Sequence, residues 1–523
     1  MRRLAHRFPK KTQRATTSVQ VAQNRVTRLR DRIAHDRVLL ALTMLLVAGL
    51  ALRIWLMLVW RPAMTGYSDS GIYFQDSVES IWTDPIRTQG YTMFLRVLHA
   101  LSPHLILVPI VQHALGLVAA VLVFLTVRHC GGPSWLGLLP AAALALAGDE
   151  LFVEHAALSD ALLVFLVIAM LYCAVHTLDG HLRWAAATGL LVGLGVWERG
   201  AGLVMVGLVP AWILFSGGRP ARRTIAAAAL SVAVAVATVG VYVGWRKAES
   251  GLPGTLTTNN AWNLYGRVGP WADCTKFSPP AGTQLLCEST PAAQRGYRRG
   301  DANYIYGPES PAQQLFGPPF RVSSYPHAME LLQKWSQAAI LGQPLDYLHA
   351  VWLDIVRLFD PNAPSYSDMS ANEMTAWFLY GPDQHSGKNT FVEYWQTLLY
   401  PNDPPPYRGD IAPLKTWEEV TRLDGALMAI LLALCIVGPW SLGGPARALA
   451  PRARSAMIVL GLTALAILLF PILVKGYDYR FVIPAYAPLV AGAALSAWGL
   501  ALRMRPLWTR VNLRLLPGTV RPQ

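Results

Sequence analysis

The chain has 523 residues, of which 53% are hydrophobic and 15% charged, with a mean hydropathy of +0.33 and a formal net charge of +14. That balance excludes an ordinary soluble globule. Span-length apolar runs recur in both halves, and helices are the open-chain way to satisfy the backbone in hydrocarbon.

In chain order, residues 1–37 form a basic segment carrying Arg2, Arg3, Arg7, Lys10, Lys11, Arg14, Arg25, Arg28, Arg30, Arg32 and Arg37 against Asp31 and Asp36. Positive residues collect on the cytoplasmic side, so this end is expected there. The apolar run behind it is span-length and lacks a small-residue cleavage site, so it reads as an anchor and not as a cleaved signal peptide. About ten spans are expected, near 38–60, 105–127, 135–150, 157–178, 184–198, 201–217, 224–245, 425–443, 456–474 and 483–503. Alternating crossings put Arg128, the Arg219/Arg222/Arg223 and Arg447/Arg452/Arg454 clusters and the basic tail 504–523 on the cytoplasmic side as well. The net charge is therefore a topology signal with some attraction to anionic membrane lipids, and no nucleic-acid partner is expected.

The fold class is an all-α polytopic membrane protein with a mixed, mostly helical extracytoplasmic insert. A transmembrane core covers 38–245, its first outer loop is 61–104, the insert is 246–424, and the C-terminal spans cover 425–503. The insert is too long for a connecting loop and has more acidic than basic residues. It holds Cys274 and Cys287, which are expected to form a disulfide, with a zinc site as the less favoured alternative because paired histidines are missing nearby. No metal motif, phosphate-binding glycine loop or nucleotide fingerprint is present, so no cofactor is expected.

Polar residues gather at the outer ends of spans. They are Asp69 in YSDSGIY, Asp149, Glu150 and Glu154 in the short turn between the third and fourth spans, His155, Ser159 and Asp160 at the start of the fourth, Glu198 and Arg199 in WERGAGLV, and Lys475, Asp478 and Arg480 in KGYDYRF. Ionisable groups at membrane depth are usually paired or functional. In the first outer loop, Phe74, Val78, Ile81 and Trp82, then Phe94, Val97, Leu98 and Leu101, repeat at helical spacing, which predicts two short helices along the membrane surface. Asp69 sits just before the first of them, where it also suits a helix N-cap; Ser68 and Ser70 read as capping and orienting residues, and Asp76 as a solvated helix face. Arg53 lies mid-span with no assigned role.

Outside a cytoplasmic membrane there is no supply of nucleotide sugars, so a transferase there needs a donor held by the membrane, such as a polyprenyl-phosphate sugar. Its phosphate leaving group makes a single base sufficient, and Asp69 is the candidate. The departing phosphate needs positive charge, for which Arg480, Arg199 and Lys475 are the candidates.

The ordered segments YSDSGIY (67–73), RTQGYTMFLRVLHAL (87–101), QHALGLVAAVLVF (112–124), EHAALSDALLVFLVI (154–168), GLGVWERGAGLVMV (193–206) and YDYRFVIPAYAPLVAG (477–492) resemble the GT-C glycosyltransferases. More narrowly they look like the branch of protein O-mannosyltransferases, aminoarabinose transferases and actinobacterial arabinofuranosyltransferases. The resemblance implies a membrane glycosyltransferase moving a sugar, with inversion, from a polyprenyl-phosphate donor to a glycan, protein or lipid acceptor. It implies a catalytic acid at Asp69, a second acid on the acceptor side at Asp160 with Glu154 near it, and arginines at the lipid phosphate at Arg199 and Arg480. Several relatives carry adjacent acids in the first loop where this chain has Asp69 between two serines, so metal independence is expected, with a divalent metal as the alternative. The competing readings are a transporter or flippase, disfavoured by the missing repeat and the outer position of the charges, and a non-catalytic envelope assembly protein.

Overall fold

The computed structural model describes residues 36–65, 68–216, 221–251, 254–257, 259–295, 301–307, 309–317, 325–360, 390–441, 452–477 and 479–515. The basic N-terminal segment, Arg219, Arg447, Asp478 and the last part of the tail lie outside the described residues.

The first half runs α1 (Asp36–Val59), α2 (Ser68–Val78), α3 (Gly90–Leu101), α4 (Leu107–His129), α5 (Leu138–Leu146), α6 (Gly148–His155), α7 (Asp160–Thr177), α8 (Leu182–Glu198), α9 (Leu203–Phe215) and α10 (Arg222–Ser250). The insert follows with α11 (Asn260–Val268), three short helices α12 to α14 (Ala292–Arg295, Asp301–Tyr306, Pro311–Phe316), α15 (Tyr325–Gly342), α16 (Pro344–Leu358), α17 (Thr390–Leu399) and α18 (Ala412–Thr421). The chain returns to the bundle as α19 (Gly425–Ser441), α20 (Ala453–Val474) and α21 (Tyr486–Leu515). The molecule is an all-α, multi-pass membrane protein.

The apolar runs read as spans are helical over most of their described residues. Among the described residues seven helices have span length and hydropathy, or eight if the pair Ser134–Leu146 and Gly148–His155, bent by 48°, counts as one. That is fewer than the about ten expected. The difference lies at α8 and α9, which with 17 and 13 residues rise about 26 Å and about 20 Å, against about 27 Å for α7 with 18. The short turn expected to hold Asp149, Glu150 and Glu154 is instead the helix α6, buried along its whole length.

Helix contacts in the bundle rely on small residues, because lipid supplies no hydrophobic drive between spans. The GLLVG run of α8 places Gly189 and Gly193 on one face against α10. A Cβ on Gly189 would lie 2.3 Å from the Ser231 carbonyl oxygen, so the two backbones touch only because no side chain intervenes. On the outside, α1 and α10 expose Leu40, Met44, Val47, Ile54, Val236 and Val241, the pattern of a lipid-facing surface.

The insert has its own core, in which Trp262, Tyr265, Ile305, Leu332 and Trp335 are buried together. Cys274 and Cys287 form a disulfide. A buried pair between Arg267 and Asp354 at 2.5 Å joins α11 to α16. The insert also returns to the first span: β1 (Trp60–Arg61) pairs antiparallel with β2 (Tyr407–Arg408), and Arg61 and Arg408 each lie over the aromatic ring opposite, Tyr407 and Trp60. Beyond β1, the Met64 amide donates to the His155 carbonyl at 3.0 Å and the Ala157 amide to the Met64 carbonyl at 2.9 Å. The segment leading to Asp69 is therefore bonded alongside the segment leading to Asp160.

Candidate functional site

Five residues from four connections meet at one end of the bundle. Asp69 is in the first turn of α2, Asp160 opens α7, Arg199 caps α8, Lys475 caps α20, and Arg480 lies in the turn before α21. Arg480 joins the two acids: its Nη2 donates to Asp69 Oδ2 at 2.6 Å, and its Nη1 lies 3.9 Å from Asp160 Oδ2. Arg199 Nη2 stands 2.9 Å from Asp160 Oδ1. The ring of Phe481 gathers the cations, with Arg199 at 4.8 Å, Lys475 at 4.9 Å and Arg480 at 5.6 Å from its centroid. An aromatic face holds cations without neutralising them.

Arg87, which the sequence singles out only as the first residue of the segment RTQGYTMFLRVLHAL, completes the grip on Asp69. Its Nε and Nη2 donate to Asp69 Oδ1 at 2.9 and 2.6 Å, while Nη1 donates to Asp84 at 3.0 Å. The RTQG segment that carries it is tied to the distant helices α8 and α10. The Thr88 hydroxyl donates to the Glu198 carbonyl at 2.7 Å, and the Gln89 amide donates to the Tyr242 hydroxyl at 3.1 Å. Sequence could have found Arg87 only through its place in the same outer loop as Asp69. Ser70 orients the helix by donating to the Ala157 carbonyl at 3.0 Å.

Electrostatics at Asp69 are a contest. Burial pushes its carboxyl up, but the Arg87 and Arg480 guanidiniums outweigh that and hold it well below the usual carboxylate range. Asp69 is thus an anion with both oxygens engaged. Tyr73, one turn along α2, is driven the other way: burial and then the Asp69 charge raise its phenol well above its ordinary value, so it stays neutral.

Asp76 is not the solvated residue the sequence suggested. It is fully buried, accepting from the Asp84 amide at 3.0 Å and from the Gln89 side chain at 3.0 Å. Burial and then the neighbouring Asp84 push its carboxyl up to about 8. The helical repeat of the loop identified its apolar face; it could not show that the 80–89 turn folds back over the polar one.

Glu154 stands apart from these residues. It forms a bidentate pair with Arg53, Nε to Oε2 at 2.8 Å and Nη2 to Oε1 at 2.7 Å, and both side chains are 2% exposed. Arg53 also donates to the Gly49, Ala145 and Leu144 carbonyls. The chain of contacts continues from Glu154 to His113 at 2.8 Å, to His155 at 3.1 Å and to the Trp60 carbonyl at 3.1 Å. A Cβ on Gly116 would fall 1.7 Å from Glu154 Oε1, so the carboxylate occupies space that a side chain there would fill. This network accounts for the mid-span arginine. It braces α1, α4 and α6 beneath the segment that presents Asp69.

Among the described residues the group spaced for a metal is His129, His176 and Asp179, whose ligand atoms lie within 4.8 Å of one another. It sits at the far end of α7 from Asp160, about 27 Å along that helix. Arg452 donates to Asp179 there at 2.6 Å, a cation where a metal ion would bring more positive charge.

No protein-family model and no curated protein matches the chain. Solved structures do. The crystal structure of the Archaeoglobus fulgidus oligosaccharyltransferase in the apo form is 14% identical with a TM-score of 0.41, covering 93% of this chain and 52% of that one. The archaeal oligosaccharyltransferase AglB from the same organism, in complex with an inhibitory peptide and a dolichol-phosphate, is 13% identical with a TM-score of 0.42, covering 92% of this chain and 52% of that one. The chain thus spans about half the length of the solved proteins it is similar to.

Proposed function

We propose that the protein is a GT-C-type membrane glycosyltransferase that moves a sugar from a polyprenyl-phosphate donor to an acceptor hydroxyl on the extracytoplasmic side, with both termini cytoplasmic. The observation that carries the reading is Arg480 held between Asp69 and Asp160, with Arg199 and Lys475 on the same aromatic ring. Acids and cations drawn from distant connections to one point suit a reaction that needs a proton acceptor and an anionic leaving group together.

In this reading Asp69 takes the proton of the acceptor hydroxyl as its oxygen attacks the anomeric carbon. The bond from that carbon to the phosphate oxygen breaks, and the polyprenyl phosphate leaves with the bonding electrons, giving inversion. Arg480, Arg199 and Lys475 receive the phosphate. A carboxylate held by two guanidiniums is a weak base, because proton affinity is lowered by each cation. Donor phosphate competing for Arg480 would remove one of them and add negative charge nearby, so donor binding itself raises the basicity of Asp69. Asp160 keeps Arg199 oriented from the acceptor side, and the insert with its disulfide covers the acceptor. Transfer from defined polyprenyl-phosphate sugars by the purified protein in proteoliposomes tests the reading; no transfer from any such donor, with the donor nonetheless bound, refutes it.

A further inference from the structure

Helix α16 of the insert reverses the usual surface pattern. On a helix facing water the exposed side is polar. Here Leu345, Leu348, Trp352 and Val356 are 77%, 57%, 60% and 47% exposed, and Leu341 just ahead of the helix is 81% exposed. At 100° per residue the four on α16 fall within about 60° of Leu345 on the helix wheel, with the exposed His349 at about 40° beside them, while Leu341 belongs to the end of α15. The buried side carries the charged residue: Asp354 is held by Arg267 at 2.5 Å and Arg357 at 2.9 Å.

The directions around α16 indicate what covers the stripe. With Leu345 at zero, Asp346 points at about 100° and Asp354 at about 180°, and both pair with insert residues, Lys276 at 2.8 Å and Arg267. Tyr347 at about 200°, Val351 at about 240° and Ile355 at about 280° face the bundle. The Tyr347 hydroxyl donates to the Leu473 carbonyl at 3.0 Å, at the end of span α20, and Leu473 is itself 41% exposed. The stripe is thus turned away from the insert and outward from the bundle, continuing a surface that already faces lipid. Trp352 is a residue type enriched where hydrocarbon meets headgroups.

We propose that α16 lies in the membrane interface on the insert side, with Leu341, Leu345, Leu348, Trp352 and Val356 sunk into the acyl boundary of that leaflet. The partner is the bilayer itself, not a second protein. The Lys276–Asp346 pair stays on the aqueous flank. The insert is then held by the bilayer as well as by its two ends and the β1–β2 pairing, which fixes its height over the bilayer. This holds whatever reaction the protein performs.

The test uses the full-length protein reconstituted in liposomes, spin-labelled at Leu348→Cys, Trp352→Cys or Asp346→Cys, with unsubstituted protein giving the background of the buried Cys130, Cys173 and Cys435. The expected result is an accessibility ratio of oxygen to a polar nickel reagent that is several-fold higher at 348 and 352 than at 346. Equal nickel access at all three positions overturns the proposal by placing the stripe in water. A label at 348 or 352 that is immobilised and reached by neither reagent also overturns it, because protein would then be the cover.

Discussion

Replacing Asp69 with asparagine keeps the shape of the side chain and removes its charge and its capacity to take a proton. Two consequences follow from the geometry. Three charge-assisted hydrogen bonds, two from Arg87 and one from Arg480, lose their anion, and breaking a buried ion pair by deleting one partner costs about 3–5 kcal/mol when no other acceptor steps in. The asparagine amide oxygen still accepts from one guanidinium, so the loss of stability should fall below that range. Loss of a positioned base removes a factor of roughly 10² to 10⁴ in rate, equivalent to about 3–5 kcal/mol of barrier at 1.36 kcal/mol per decade. The assay is single-turnover transfer of a labelled sugar from a polyprenyl phosphate in proteoliposomes, with thermal unfolding of the same preparation to set a temperature at which both proteins are folded. A folded Asp69→Asn variant that transfers sugar at the wild-type rate would refute the role of Asp69. A rate loss matched by unfolding would assign the residue to structure alone.

Further expectations concern the neighbours. Arg480→Ala removes one charge-assisted contact to the phosphate, about 1.5–3 kcal/mol, and should weaken donor binding by roughly ten- to a hundredfold in a titration with the non-transferable lipid phosphate; unchanged affinity rejects the phosphate role. Glu154→Gln leaves Arg53 buried with no anion and should destabilise by about 3–5 kcal/mol, while Arg53→Met with Glu154→Met together should recover much of it; equal stability of the single and double variants in thermal unfolding contradicts the pairing. Asp76 has a folded-state value raised to about 8 against an unfolded value near 3.9, so the protonated form stabilises the fold fully below about 4, and this contribution is lost as pH rises through about 8. Thermal stability should therefore fall between pH 5 and pH 9 more steeply in the wild type than in Asp76→Asn, and parallel profiles would show that Asp76 is not protonated in the fold. Cys274→Ser opens a loop with a sequence separation of 13 and should cost about 2–4 kcal/mol in the insert, read by protease sensitivity of that domain.

Much of the architecture was legible because bilayer thickness constrains sequence directly: an apolar run of the right length has few alternatives to a helix. The difference in span number lies at α8 and α9, where apolar composition persists over helices of 17 and 13 residues. The candidate site was legible to the extent that topology brings outer connections to one face, which put Asp69, Asp160, Arg199, Lys475 and Arg480 together. Arg87 escaped because its direction depends on how the 80–89 turn folds, and that turn is fixed by Tyr242 and Glu198, far along the chain. Asp76 was misjudged for the same reason. Arg53 had no reading because its partner Glu154 is 101 residues away, and nothing local reports that distance.

The short pairing of Trp60–Arg61 with Tyr407–Arg408 has a consequence for how the insert can move. It straps the last part of the insert to the exit of the first span, a few residues ahead of Asp69. The insert is consequently not a lid hung on the two spans that flank it. Lifting it away would pull on the strand ahead of Asp69, so in the proposed reaction opening the acceptor side and disturbing the carboxylate become one mechanical event. A chimaera that exchanges the insert while keeping the spans should work only if the strap at residues 407–408 is exchanged in register with residues 60–61.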